Sequence, residues 1–352
     1  MQATLRSQAN EKVPCLIKSG GFVTRRSLEQ CSSELLATYK SDNFRGNNIL
    51  ILAAGLGIDD WAFSFSFKQV ISIDSDKELN NISRYNFEVL NKKNIERIDI
   101  NAEEFLQKNK SKFDLIYIDP DRRNDKGRQI LLSEHQPNVV ELLPKLFDIS
   151  SKVLIKCSPL YDIDMAISEI PSISEVYSVS KYGEMKELLI LAEDKSSIDC
   201  ITIYCSDIQK DNKTNTFETN NKKEHKLKIA EDLGTYLYET GSCLVKLRKN
   251  HEYAMELDLL ALDKSVAFYT SNNINNQFIG RCFKIIKSMT YNVKECIEYL
   301  KVNNISKANI KARGLKFNTE ELKRKLGLKD GGNDYIFVIP YKNQTILVHC
   351  IY

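Results

Sequence analysis

The 352-residue chain has nine cysteines but no Cys-x-x-Cys pair, and only four histidines. So little imidazole and no paired thiol spacing argue against a zinc site. They predict reduced, mostly buried thiols in a cytoplasmic protein. No apolar run approaches the roughly 20 residues that span a bilayer. The opening Met1-Gln2-Ala3-Thr4-Leu5-Arg6 lacks the apolar core of a secretory signal. A third glycine is missing too. Gly55 and Gly57 follow a short apolar run, but the position that would complete a dinucleotide fingerprint is Asp60, followed by the bulky Trp61. That disfavours hydride-transfer cofactors.

Apolar residues make up 42% of the chain and charged residues 28%, the balance of a soluble globular protein with two or three domains. The net charge of +3 is unevenly spread: Arg281 to Tyr352 holds 14 basic and 6 acidic residues, a net of +8. Such a C-terminal module suits a polyanion partner, or else presents a solvated lysine-rich surface.

Ile49-Leu50-Ile51-Leu52 reads as a buried strand, and Ala53-Ala54-Gly55-Leu56-Gly57 as a tight strand-to-helix turn open to close approach by a ligand. Val70 to Ile73 is a second buried strand ending in Asp74, about 20 residues past the glycine turn and placed for the two hydroxyls of a ribose. With the dinucleotide cofactors disfavoured, S-adenosylmethionine is the other candidate ligand for this arrangement, the alternative being an ordinary tight loop in an α/β domain. Further strands are predicted at 95–100, 113–118, 153–157, 175–180 and 187–192, alternating with helices. This pattern specifies a doubly wound parallel sheet with ligands at the carboxyl strand ends. Asp74, Asn101 and Asp119 each lie just past such an end.

Asp119-Pro120-Asp121-Arg122-Arg123 follows a buried strand directly. Proline fixes the backbone so that carbonyls face the crevice. The Asp119 carboxylate beside them can accept from a planar amine and hold its lone pair toward an electrophilic methyl group. Arg122 and Arg123 could clamp a substrate phosphate or simply be solvated. Lys156 is either a substrate contact or a structural salt bridge.

Outside this core, residues 1–26 are weakly patterned. A helix is predicted to open at Ser27 with Gln30 completing a capping box, and the polar run Glu29–Glu34 within it either borders the cofactor site or faces solvent. Residues 206–226 read as a polar loop, and 227–280 as a connecting region, mostly helical. The last segment reads as an α+β module. In it Asn318 and Glu321 frame a helix that stops at Gly327, two strands pair as a terminal hairpin, and Lys307, Lys311, Arg313, Lys323 and Arg324 lie on the surface.

Several segments together carry a family resemblance: LEQCSSELLATYK (28–40), AAGLGIDDWAF (53–63), YIDPDRR (117–123), LIKCSPLYDI (154–163), EMKELLIL (184–191), ANIKARG (308–314) and LKDGGNDYIF (328–337). With them the chain resembles bacterial class I S-adenosylmethionine-dependent methyltransferases that end in a THUMP-like module. The resemblance implies four parts: an N-terminal helical segment (1–45), a Rossmann-like methyltransferase domain (46–195), the connecting region (196–280) and a THUMP-like α+β domain (281–352). It also implies methylation of a base nitrogen in structured RNA, tRNA or rRNA, because THUMP modules of related enzymes bind such RNA.

On that basis Ala53, Gly55, Gly57 and Asp59 line the methionine end of the cofactor, Asp74 the ribose, and Asn101 with Ala102 the adenine. Asp119-Pro120 meets the acceptor base, with Arg122, Arg123, Lys156, Lys307, Lys311, Arg313, Lys323 and Arg324 as RNA contacts. Two departures stand out. Ile51 occupies the first-strand position where the family carries an acid for the cofactor's amino group, and Asn101 replaces an adenine-binding acid. Loss of the first motivates an alternative: a non-catalytic RNA-binding protein that keeps the scaffold. The family often has more helical sequence upstream, so the resemblance further implies a shortened N-terminus.

Overall fold

The computed structural model describes all residues except 1, 121–122, 125–126, 129–130, 135, 196–197, 223–225 and 316–317, and describes 2–4, 123–124 and 127–128 by backbone alone. The chain divides into two compact units: Met1–Tyr177 with Glu187–Ile203, and Ser178–Lys186 with Tyr204–Tyr352.

The first unit is built on β1 (Gly46–Leu52), β2 (Phe67–Asp74), β3 (Ile95–Asp99), β4 (Leu115–Ile118), β5 (Lys152–Cys157), β6 (Ile173–Lys181) and β7 (Glu184–Glu193), the hairpin end of β6 and β7 counting with the second unit. Their order in the sheet is β3-β2-β1-β4-β5-β7-β6. The pairs β2–β3, β1–β2, β1–β4 and β4–β5 are parallel, while β7 runs antiparallel to β5. Ile49 to Leu52 on the central strand are fully buried, as a strand covered on both faces requires. The strand order reverses between β1 and β4, so the crevice of a doubly wound sheet opens where these two strands end.

Residues 2–26, weakly patterned in the sequence, form α1 (Gln2–Lys12) and α2 (Pro14–Lys18) and lead into α3 (Arg25–Gln30). Ala9, Val13 and Leu16 pack with Leu28 and Ala37 against Leu56, Ile58 and Ala62 beyond the glycine turn. The helix predicted to open at Ser27 is in fact two. Thr24 caps α3 in a capping box that Ser27 completes from inside, and Ser33 caps α4 (Glu34–Asn43). The break falls after Cys31, where Ser32 turns its hydroxyl to Asp59 and Ser33 caps the next helix.

The polar stretch predicted as a loop at 206–226 instead holds, up to residue 220, most of a hairpin, β8 (Thr202–Ile208) and β9 (Thr214–Asn220). A polar strand such as β9, where only Phe217 and Thr219 are buried, has the composition of a loop. Residues 227–280 are likewise more strand than predicted: β10 (Tyr236–Thr240), β11 (Leu260–Ala261) and β12 (Phe268–Ser271) frame two short helices, 242–246 and 250–256. They join β13 (Gly280–Thr290), β14 (Asn309–Ala312), β15 (Asp334–Tyr341) and β16 (Gln344–Ile351) in a sheet of order β11-β12-β10-β13-β16-β15-β14. Helices Val293–Val302 and Thr319–Leu326 bury Cys296, Leu300, Leu322 and Leu326 against Ile310, Ile336, Val338 and Leu347. The Asn318–Glu321 capping box and the left-handed stop at Gly327 stand as predicted. No helix among the described residues is long and apolar enough to cross a membrane.

Candidate active site

Beyond Leu52 the chain turns over the sheet edge and enters α5 (Ile58–Phe63). Ala53, Gly55 and Gly57 take left-handed backbone in this turn, at φ of +54°, +58° and +84°. A Cβ on Gly57 would stand 2.5 Å from the Phe87 ring, whereas a Cβ on Gly55 would meet nothing within 4 Å. Gly55 therefore borders open space.

The turn is fastened from the ends of β2 and β3. The Gly55 amide donates to Asp74 Oδ2 at 2.8 Å, and its carbonyl accepts from Arg97 Nη2 at 2.6 Å and Ser83 Oγ at 3.3 Å. Asp74 Oδ1 accepts from the Asp76 amide at 2.9 Å, which fixes the carboxylate yet leaves each oxygen a further lone pair. These residues fit a nucleoside ligand, with an oriented acid for a diol and, beside it, open space at Gly55, where the turn carries no side chain.

Arg97 was not among the predicted site residues, because a lone arginine in a strand reads as a solvated side chain. It is buried, donating Nε to Asn80 Oδ1 at 2.6 Å and Nη1 to Ser72 Oγ at 2.9 Å, and pairing with Asp60 Oδ2 at 2.9 Å. Asp60, which stands where a third glycine is missing, is thus a buried acid that Ser72 and Arg97 both serve.

Burial pushes Asp60 up to about 6 despite Arg97. A folded-state value above the ordinary aspartate value means that the native protein binds the proton more tightly than the unfolded chain does. The contribution of this group to stability is therefore largest below about pH 4 and declines as pH rises toward about 6. The stability difference between Asp60→Asn and wild type should accordingly shift in favour of the variant as pH rises from 4 to 6. Urea midpoints across that range check it, and a pH-independent difference would contradict it.

A second cluster gathers at the ends of β4 and β5. Lys156 Nζ lies 2.6 Å from Asp119 Oδ2 and donates to Ser32 Oγ at 3.1 Å, with Glu187 Oε1 3.8 Å away. Ser32 Oγ donates to Asp59 Oδ2 at 2.8 Å, and the Tyr117 hydroxyl donates to the same oxygen at 3.2 Å. Lys40, with no solvent exposure, pairs with Glu187 Oε2 at 2.8 Å and Asp59 Oδ1 at 3.1 Å. Burial raises the Asp119 carboxyl above its ordinary value while Lys156 pulls against it. Burial disfavours charge on Lys156, but Asp119, Glu187 and Asp59 outweigh it and raise the lysine. Burial disfavours charge on Asp59 too, and Lys40 and Lys156 prevail, leaving it low.

The polar run Glu29–Glu34 thus borders the site through Ser32, while Lys40 and Glu187 are members that the sequence did not single out. Lys156 makes a salt bridge, and its partner is Asp119 itself. Ile51 is fully buried between Ser72 and Tyr117 on the neighbouring strands, with no acid in its place.

Asn101 caps the helix Ala102–Lys108, its side-chain oxygen accepting from the Glu104 amide at 2.8 Å. Pro120 follows Asp119 and is buried. Arg122 and the side chain of Arg123 lie outside the described residues. In the second unit Lys307, Arg313 and Arg324 are exposed, while Lys311, predicted to be available on the surface, is spent on Glu239 at 2.6 Å. Lys323 likewise pairs with Asp330 and, at 3.5 Å, with Glu320. Among the described residues no cluster of three His, Cys, Asp or Glu side chains could hold a metal.

Residues 280–351 match the family described as "THUMP domain-like". No curated protein matches the sequence. The chain is similar to a Porphyromonas gingivalis W83 protein described provisionally as a methyltransferase, with a TM-score of 0.87, 24% identity, and coverage of 99% of this chain and 88% of that one. Partial similarity, at TM-scores of 0.36, extends to two other structures. A Pyrococcus horikoshii protein described provisionally as an RNA methyltransferase is 16% identical over 53% of this chain and 98% of its own. The Thermus thermophilus 16S rRNA N2 G1207 methyltransferase is 17% identical over 50% of this chain and 44% of its own. At 24% identity the likeness to the Porphyromonas gingivalis protein is one of fold. The chain therefore has a Rossmann-like methyltransferase fold and carries a THUMP-like module at residues 280–351.

Proposed function

We propose that this protein is an S-adenosylmethionine-dependent methyltransferase acting on a base nitrogen in structured RNA. The observation that carries the reading is the placement of two carboxylates around the switch point of the sheet. Asp74 is oriented by the Gly55 amide at 2.8 Å on one side, and Asp119 at the end of β4 is gripped by Lys156 at 2.6 Å on the other. Asp74 would take the ribose hydroxyls, the open turn at Gly55 would pass the methionine chain, and the Ala102 end of its helix would meet the adenine. Asp59, Glu187 and Asp119, three acids against Lys40 and Lys156, supply the negative charge that Ile51 does not.

The cofactor supplies an electrophilic methyl group on a sulfonium. The protein's part is alignment. Asp119 accepts a hydrogen bond from the acceptor amine, turning its lone pair toward the methyl, and Pro120 keeps the adjoining backbone rigid. The RNA assignment rests on the THUMP-like module and on the net +8 of Arg281 to Tyr352, where Lys307, Arg313 and Arg324 are exposed.

Calorimetric titration with S-adenosylmethionine should give micromolar binding, weakened at least about 100-fold in Asp74→Ala, which loses two hydrogen bonds to a charged acceptor. With radiolabelled cofactor and total cellular RNA as acceptor, Asp119→Ala should retain cofactor binding and lose transfer. No binding at millimolar cofactor would favour the second reading, an RNA-binding protein on a methyltransferase scaffold, to which Ile51 points.

A further inference from the structure

Lys40 and Glu187 are separated by 147 positions in sequence and meet inside the first unit at 2.8 Å. Neither is needed to shape the glycine turn, and an apolar side chain would satisfy a packing position in α4 at far less cost than a buried ammonium. Their value lies in what they border. Charges alternate through the cluster, from Lys40 to Glu187 to Lys156 to Asp119. Asp59 touches Lys40 at 3.1 Å, and Ser32 Oγ lies within 3.4 Å of Lys40, 3.1 Å of Lys156 and 2.8 Å of Asp59.

Lys156 has three protons to donate and three carboxylates that compete for them. Lys40 settles the competition: by neutralising Asp59 and one oxygen of Glu187, it leaves Lys156 on Asp119. Lys12, the remaining lysine near the cluster, is engaged by the carbonyls of Leu28 and Glu29 at 2.6 and 3.2 Å.

We propose that Lys40 is a positioning residue: it holds Glu187 and Asp59, the two carboxylates that compete for Lys156, and so keeps Lys156 on Asp119, by which the N-terminal helical segment completes the acceptor site. The inference deepens the methyltransferase reading, in which Asp119 orients the acceptor amine, and rests on it for its functional meaning. The geometry has consequences of its own. Without Lys40, two uncompensated carboxylates draw Lys156 away and Asp119 holds its proton to higher pH. Without the charge of Glu187, Lys156 is left wholly to Asp119, a repulsive neighbour is gone, and Asp119 ionises at lower pH. The groups facing Lys156 are Asp119, Glu187, Asp59 and Ser32, with Lys12 and Cys31 within electrostatic reach and with Lys40 and the Tyr117 hydroxyl bonded to Asp59. Tyr117 is held neutral, burial and then the nearby acids raising it well above the ordinary tyrosine value.

The test is carbon-13 NMR of carboxyl-labelled aspartate in the full chain, with Asp119→Asn to assign the signal. The Asp119 midpoint should fall by about one pH unit in Glu187→Gln and rise by about one unit in Lys40→Met, with Lys40→Arg restoring it. A packing defect would not produce shifts of opposite sign. Unmoved midpoints, or shifts of the same sign, overturn the proposal. Should Lys40→Met not fold, Glu187→Gln decides alone: a lowered midpoint supports the proposal and an unchanged one defeats it. Titration of the wild-type protein with S-adenosylmethionine runs beside it. Failure there would overturn the cofactor reading, whereas the NMR midpoints decide the positioning.

Discussion

Arg97→Leu is expected to cost about 3–5 kcal/mol of folding stability, the usual result of removing one partner from a buried ion pair. The substitution would leave Asp60 buried without its counter-ion. It would also strip a donor from the Asn80 side chain, the Ser72 hydroxyl and the Gly55 carbonyl, so one change breaks four contacts. Leucine would fill much of the volume, but it replaces none of these hydrogen bonds, and each buried acceptor then bears its own desolvation penalty. Against a typical total of about 5–15 kcal/mol, a loss of this size leaves a marginal protein. Arg25→Ala serves as the comparison, because its ion pair with Glu29 is largely solvent-exposed and worth well under about 1 kcal/mol. Urea unfolding of the two variants side by side measures the contrast. Equal losses would mean that the buried network contributes no more than a surface pair.

The same network marks the limit of what the sequence could tell. Gly55, Gly57 and Asp74 were legible because turn chemistry is local: few residues other than glycine tolerate φ near +84°, and an acid at a strand end has a defined place in a doubly wound sheet. The helix from Thr319 to Leu326 was legible for the same reason, its capping box and its stopping glycine lying within ten residues. Arg97, Lys40 and Glu187 were not, since a charged residue in a strand or helix reads as solvated unless its partner is known. Here the partners lie 37 and 147 positions away. Ser32 was hidden in a polar run that reads as surface, although it sits between two lysines and an aspartate. The β8–β9 hairpin failed for a compositional reason: its polar second strand has too little apolar surface to be told from a loop.

Gly55→Ala and Gly57→Ala should separate binding from stability. Both glycines sit in left-handed backbone, where a side chain costs roughly 1–2 kcal/mol. At Gly57 the new methyl also collides with the buried Phe87 ring, which has to move within a packed core at a further cost of about 1–3 kcal/mol. Gly57→Ala should therefore lose about 2–5 kcal/mol of stability, and any loss of cofactor binding would follow from a displaced turn. At Gly55 the methyl meets no protein atom, so Gly55→Ala should stay within about 2 kcal/mol of wild type. If the open space beside Gly55 is where S-adenosylmethionine lies, that methyl occupies the ligand's own volume, and affinity should fall about 10- to 100-fold while the fold persists. Denaturation curves and calorimetric titrations on the same samples give both numbers. Wild-type affinity in a well-folded Gly55→Ala protein would remove the cofactor from this turn. Equal stability of the two variants would show instead that Phe87 can give way, and that the third left-handed position tightens the turn less than its close contact implies.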